Sequence, residues 1–306
     1  MTNPAAPPQG RDGGLAQRIT SFASGWSIEA TLPRPDDVVA LKDIMPAGAQ
    51  VYLSAVATHS HARIVEATVA VRRAGLEPVP HLAARTFPDA AALTDFLARA
   101  TGEAGVRRLL VIAGDRDDAA GPFASALDVI DSGALQRAGI THIGIAGYAD
   151  GHPRIDDATL DEALRAKIVA ANRNGLGVHV VTQFCFDPAA ILAWLRRLRS
   201  TGITAPVQIG LVGPVSLRTL MNFARRCGVR ASARGLMRNA GALTSLFGES
   251  TPDGIIRAVV ESDENLGQLT PHYFSFGGVA PTARWASAVA QGRFVLDADG
   301  FSVRDG

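Results

Sequence analysis

Val178-His179-Val180-Val181-Thr182-Gln183-Phe184-Cys185-Phe186-Asp187 decides how this chain folds. It opens as a run of β-branched apolar residues and closes on a polar amide, two aromatics, an aspartate and then Pro188. A short, nearly continuous apolar run suits a strand buried on both faces, as in a parallel sheet. Gln183 falls where that strand ends, the edge at which parallel α/β proteins keep their chemistry.

The same pattern repeats outward in both directions. Strands are expected over Ser27–Leu32, Gln50–Ala55, Glu77–Ala83, Arg108–Ala113, His142–Ala146, Val178–Phe184, Val207–Leu211 and Tyr273–Phe276. Amphipathic helices are expected between them, at Ser60–Ala74, Ala90–Ala104, Asp156–Ala171, Pro188–Ser200 and Ser216–Cys227. Eight strands alternating with helices in 306 residues fit a single (β/α)8 barrel. Extra helices, Leu236–Phe247 and Pro252–Gln268, are expected between the seventh and eighth strands. An open, doubly wound sheet would want a glycine-rich turn after its first strand, where this chain has Thr31-Leu32-Pro33-Arg34-Pro35. Residues 1–20 read as a flexible tail and 21–306 as the barrel domain.

Composition narrows the function classes. At 47% hydrophobic and 19% charged the chain can build a large core, which excludes a disordered protein. A net charge of +1 argues against nucleic acid as the main partner, since phosphate binding needs a basic face. Cys185 and Cys227 suit reduced thiols rather than a disulfide framework. With no signal-peptide core and no membrane-length apolar run, a cytoplasmic protein is expected, of undetermined oligomeric state.

Polar residues at the strand ends form the candidate site: Glu29, Ser54, His81, Asp115, Tyr148 and Gln183. In a barrel they converge on one mouth. Glu29, between Ile28 and Ala30, is either an outward carboxylate paired with a lysine or arginine or a carboxyl group in a partly dry cavity. In the second case desolvation would raise its pKa and let it donate a proton near neutrality. His81 is either structural or part of the site. Asp115 follows Gly114, where backbone can approach a ligand, but it is equally readable as a loop or cap aspartate. His59 and His61 lack companion ligands for a metal, and no metal is expected.

Taken together, the segments resemble the methylenetetrahydrofolate reductase family. Ser27-Ile28-Glu29 before Pro33 is similar to that family's Ser-Phe-Glu…Pro-Pro, and Pro80-His81-Leu82 to its Pro-His-Leu-Thr. Gly114-Asp115 resembles the end of its Arg-Gly-Asp. Tyr148 with His152-Pro153 resembles its Tyr-Pro-Glu-x-His-Pro, and Thr182–Asp187 its Thr-Gln-x-Phe-Phe-Asp. The resemblance implies a barrel carrying FAD, with NADH or NADPH as cosubstrate, that reduces 5,10-methylenetetrahydrofolate to 5-methyltetrahydrofolate. It implies Glu29 as the general acid that opens the methylene bridge, Asp115 beside the flavin and the pterin, and Gln183 as a pterin ligand. Ser54, His81, Gly114, Asp115, Tyr148 and His152 would line the flavin. Phe123-Ala124 would lie beside it, and Asp161 and Lys167 near its ribose and phosphates.

The sequence departs from the family at four places. Ala113 replaces the arginine before Gly-Asp, and Ala55-Val56-Ala57-Thr58 a glycine-rich turn. Ala83 replaces a threonine, and Gly277-Gly278-Val279 the family's Leu-Asn-Arg. Two alternatives therefore stay open: direct hydride transfer from NADH to the folate without flavin, or a non-catalytic folate-binding barrel.

Overall fold

A computed structural model describes residues 11–54, 59–216, 218–220, 249–262 and 264–304. Eight parallel strands close into a barrel: β1 (Ser27–Ala30), β2 (Gln50–Leu53), β3 (Glu77–Ala83), β4 (Arg108–Ile112), β5 (His142–Gly147), β6 (Gly177–Thr182), β7 (Val207–Val212) and, closing against β1, β10 (Leu269–Phe274). Between β7 and β10 the chain adds a small antiparallel pair, β8 (Val215–Ser216) with β9 (Glu249–Ser250), and it ends in the hairpin β11 (Phe294–Leu296) and β12 (Phe301–Val303). This is the (β/α)8 barrel that the alternation of apolar runs implies.

The decisive stretch behaves as a strand buried on both sides. Successive side chains point to opposite faces. Val178 and Val180 pack outward with the helical layer, while Val181 joins Tyr52, Val79 and Leu110 in the lumen. The strand stops at Thr182, and the chain leaves it into helix α8 (Pro188–Ser200). Asp187 caps that helix, accepting from the amides of Ala189 (2.9 Å) and Ala190 (3.4 Å), with Pro188 as its first residue. The other helices that matter below are α1 (Arg11–Ala23), α2 (Pro35–Ile44), α3 (His61–Arg73), α4 (Ala90–Ala104), α5 (Ala126–Asp131), α6 (Ala134–Arg137), α7 (Asp157–Arg173), α9 (Asp253–Glu261) and α10 (Val279–Ala290).

Three expectations change. The tail expected to reach residue 20 gives way at Arg11 to α1, which buries Leu15, Ile19 and Phe22 in the main core. Apolar residues at positions 15, 19 and 22 make one helical face, and burying it orders the segment. The last barrel strand begins at Leu269 rather than Tyr273 and ends before Phe276, so His272 lies inside it. Between the seventh and eighth barrel strands, helix forms over Asp253–Glu261 within the expected Pro252–Gln268. The expected helix Leu236–Phe247 lies outside the described residues, as does most of Ser216–Cys227. Among the described residues no helix is long and apolar enough to cross a membrane.

Below the mouth, a buried polar network lies beside the apolar lumen side chains. Tyr52 Oη lies 2.8 Å from His179 Nε2 and donates to Gln208 Oε1 at 2.7 Å, and Gln208 Nε2 donates to Gln50 Oε1 at 3.2 Å. Burial pushes His179 down to about 4, with Arg108, His272 and His142 adding to the fall. The folded protein therefore keeps a neutral imidazole where the unfolded chain binds a proton below its ordinary value of 6.5. Stability from this residue is complete above pH 6.5 and is lost as pH falls towards 4, where the folded state protonates too. The loss amounts to about 3 kcal/mol. Denaturant midpoints at about pH 7 and about pH 4.5 should accordingly lie closer together in His179→Gln than in the parent.

Candidate active site

Glu29 is built into the mouth by its own strand and both neighbours. It pairs in register with Tyr52 of β2 and Phe274 of β10, and the Ser275 hydroxyl donates to its backbone carbonyl at 2.6 Å. Its side chain is 16% exposed and points at two histidines: His81 Nε2 and His272 Nε2 each stand 3.5 Å from Oε2. The outward, base-paired alternative for Glu29 does not describe it, because its neighbours are imidazoles in the barrel interior. His272 is fully buried, and its other nitrogen lies 2.9 Å from the Ser27 hydroxyl. With that hydroxyl donating to Nδ1, the His272 proton resides on Nε2 and faces the carboxylate, a tautomer assigned from its partners.

The ionisation of Glu29 differs from the sequence expectation. Burial does push its pKa up, but His81, His272 and a hydrogen bond from Ser54 outweigh it and hold the carboxyl below its ordinary range. His81 is also lowered: burial outweighs the attraction of Glu29. At neutral pH the mouth therefore holds a carboxylate beside a neutral His81, with His272 Nε2 directed at it. His81 Nε2 has no hydrogen-bond partner of its own among the described residues.

Around this centre the other strand-end residues take distinct places. Ser54 helps to lower Glu29, and its hydroxyl lies 2.6 Å from that of Thr31. Asp115 is exposed, follows Gly114 at φ 93°, and is near enough to His81 and Tyr148 to push each upward, although burial leaves His81 lowered overall. Tyr148 packs edge-on against His152 at 5.2 Å and is raised by burial. Phe123 is buried. Beside it the carbonyl of Ala124 accepts from Arg85 Nε at 2.8 Å, while Arg85 Nη1 reaches the Arg116 carbonyl at 2.9 Å.

Gln183 lies just past β6, and its side-chain Oε1 accepts from the Phe184 amide at 3.0 Å, leaving the NH₂ end as a donor. Phe184 stacks edge-on to Phe274 at 5.3 Å, which meets His272 at 5.2 Å, so the amide and the acid are joined through packed rings.

Two candidates lie apart from this group. Asp161, in α7, pairs with Arg197 of α8 at 3.1 Å. Lys167 lies on the face of α7 that carries the buried Leu164 and Ala171, and burial lowers its amine to about 8. Lys167 has no ion pair among the described residues. Cys185 is buried, and its thiol is pushed up to about 12, so it is unreactive. His61 stacks on Phe87 at 4.1 Å and lies 2.9 Å from the Thr86 hydroxyl.

A model of the methylenetetrahydrofolate reductase family matches residues 36–237, about two thirds of the chain. This chain belongs to that family. The matched stretch contains Ser54, His81, Asp115 and Gln183, while Glu29 and His272 lie on either side of it. Membership makes the chain a folate-related oxidoreductase. Among solved structures, it is similar to the dihydropteroate synthase (FolP) of Thermus thermophilus at 18% identity, over 87% of this chain and 92% of that one, with a TM-score of 0.46. It is also similar to the 3-dehydroquinate dehydratase of Aquifex aeolicus at 9% identity, over 89% and 99%, with a TM-score of 0.45.

His272 and Ser275, in and just after the last barrel strand, join Glu29 although the sequence places no site residue there. A signal is present: a histidine between Pro271 and Tyr273 in an otherwise apolar strand is a polar group that must find a partner.

Proposed function

We propose that this protein reduces 5,10-methylenetetrahydrofolate to 5-methyltetrahydrofolate with NADH or NADPH, through bound FAD. The observation that carries the reading is one Glu29 oxygen set 3.5 Å from both His81 and His272 at the barrel mouth. The substrate's methylene bridge is an aminal. One of its C–N bonds breaks when the leaving nitrogen is protonated, and the iminium so formed accepts a hydride at carbon. A carboxyl group surrounded by donors is a strong acid when loaded, and its conjugate base is already stabilised as the proton leaves.

The residues present suit a flavin. Among the described residues His81 Nε2 has no hydrogen-bond partner and Lys167 no ion pair; Gly114 has the open backbone, Tyr148 and Phe123 would be wall residues, and the Lys167 amine would meet a phosphate. FAD, when bound, supplies a hydride carrier between the nicotinamide and the folate. Glu29 delivers the proton, Gln183 holds the pterin through its amide, and Asp115 places charge beside both ring systems. A second reading, direct transfer from NADH, is favoured by one feature: Arg85 already occupies the carbonyls of Ala124 and Arg116, which flank the expected cofactor groove.

The test is oxidation of NADH or NADPH by the purified protein with and without methylenetetrahydrofolate, alongside its visible spectrum. Folate-dependent oxidation by a protein with flavin bands supports the first reading. The same turnover by a colourless protein supports the second, and no turnover sinks both. Because Glu29 lies below the ordinary carboxylate range, its protonated fraction declines across the neutral region. Where the folate step limits, its rate should fall about ten-fold per pH unit between about pH 6 and 8. A flat profile would mean that the proton comes from elsewhere.

A further inference from the structure

Helices α2 and α10 and the terminal hairpin β11–β12 enclose a groove of about 900 Å³, a volume usual for a small-molecule site. None of the residues gathered around Glu29 lines it. Three arginines do, from separate segments: Arg284 in α10, Arg293 just before β11 and Arg304 just after β12.

The hairpin sets two of these arginines face to face. Phe294 pairs with Val303 in the β11–β12 ladder, and the Arg304 amide extends it by donating to the Arg293 carbonyl at 3.1 Å. Residues directly opposite in an antiparallel pair share one face, with Cβ atoms about 5 Å apart, and like charges placed so are destabilising. The acids that line the groove do not relieve this. Asp253 accepts from the Thr251 hydroxyl and the Phe301 amide, and Asp297 from the Gly300 amide at 2.7 Å and the Ser302 hydroxyl at 3.3 Å, so both serve the hairpin itself. Asp43, the third acid on the lining, pairs with none of the arginines. Arg293 Nε donates to Gln291 Oε1 at 3.0 Å, and among the described residues Arg284, Arg293 and Arg304 have no ion pair. Trp285 lines the same groove with its ring stacked on Phe301 at 5.9 Å, which adds a flat apolar wall beside the guanidinium groups.

We propose that this groove is a second ligand site, which binds a small organic anion carrying two or more phosphate or carboxylate groups. A guanidinium presents parallel N–H donors that match two oxygens of either group. An anion lying over Arg293 and Arg304 turns their mutual repulsion into a shared attraction. A single inorganic ion would leave most of the groove open, whereas a larger polyanion also meets Arg284. The site is independent of the reaction proposed for the barrel mouth.

The experiment titrates the full chain with ATP, citrate and inorganic phosphate at low salt, and follows binding by calorimetry. The parent is compared with Arg293→Gln, Arg304→Gln and Arg137→Gln, the last an exposed arginine of α6 outside the groove. ATP or citrate should bind, the tighter of the two telling phosphate from carboxylate, and inorganic phosphate should bind at least about ten-fold more weakly. Each groove variant should lose about ten-fold in affinity, the equivalent of one charge-assisted hydrogen bond, while Arg137→Gln follows the parent. Arg293 and Arg304 are exposed, and removing one of two opposed charges should leave the ligand-free melting temperature at or above that of the parent. The inference is overturned if neither ATP nor citrate binds, if inorganic phosphate binds as tightly as they do, or if the groove variants keep the parent affinity. It is equally overturned if Arg137→Gln weakens binding as much, or if the groove variants melt below the parent without ligand, which would make these arginines props of the hairpin.

Discussion

Glu29→Gln should reduce the folate-reducing rate by about 10²- to 10⁴-fold, the range expected when a positioned general acid is removed. Glutamine keeps the size and shape of the side chain and can still hydrogen-bond the proton that His272 directs at it. What it lacks is a transferable proton, so the C–N bond of the aminal must break without protonation of its leaving nitrogen. Neither histidine replaces it at neutral pH, since burial keeps His81 neutral and His272 is enclosed behind Glu29 with no exposed surface. Nicotinamide oxidation with an artificial electron acceptor needs no such proton and should continue near the parent rate. Single-turnover measurement of the two half-reactions checks both statements. A variant that reduces methylenetetrahydrofolate at the parent rate would remove Glu29 from the mechanism.

Gly210→Ala should be the most damaging conservative change in the barrel wall. Gly210 pairs in register with His272, and its amide donates to the Thr182 hydroxyl at 2.8 Å. A Cβ at this position would overlap the Thr182 carbonyl oxygen and lie 2.9 Å from the carbonyl carbon and oxygen of Gln183. Those atoms are backbone, so no side chain can swing away. The end of β6 must move, carrying Gln183 and Phe184 with it. Overpacking of this kind costs about 1–3 kcal/mol, which lowers the melting temperature by several degrees. Displacing the Gln183 amide should also raise KM for the folate about ten-fold, the equivalent of one hydrogen bond, while leaving KM for the nicotinamide close to the parent value. Thermal melts and initial-rate kinetics would show this. Parent values for both would mean that β6 and β7 can part without cost.

These two residues show how far the chain can be read without its fold. Glu29 stands out because a carboxylate in an apolar strand demands a reason, and its place at a strand end aims it at the mouth. Gly210 is inconspicuous in Gln208-Ile209-Gly210-Leu211, since a missing Cβ signals nothing until the neighbouring backbone is seen. His179 is in plain view in the opening stretch, yet only the closed lumen shows that it is held neutral against Tyr52. Asp161, which the family resemblance places near the cofactor, is set by helix α7 beside Arg197 of α8, a pairing that its sequence neighbours do not reveal.

The sequence by itself determined the (β/α)8 architecture, the edge of the barrel that carries polar residues, and the family. Each of these follows from local order: apolar runs of strand length, helical periodicity between them, and short motifs at strand ends. Only the tertiary structure decided the charge of Glu29. Its principal partners come from β2, β3 and β10, with His272 lying 243 residues away along the chain. Desolvation is the only influence a lone strand reveals, and it pushes the carboxyl group upward. The groups that reverse the direction arrive only in the closed barrel, where His81 of β3 and His272 of the last strand meet the carboxyl group.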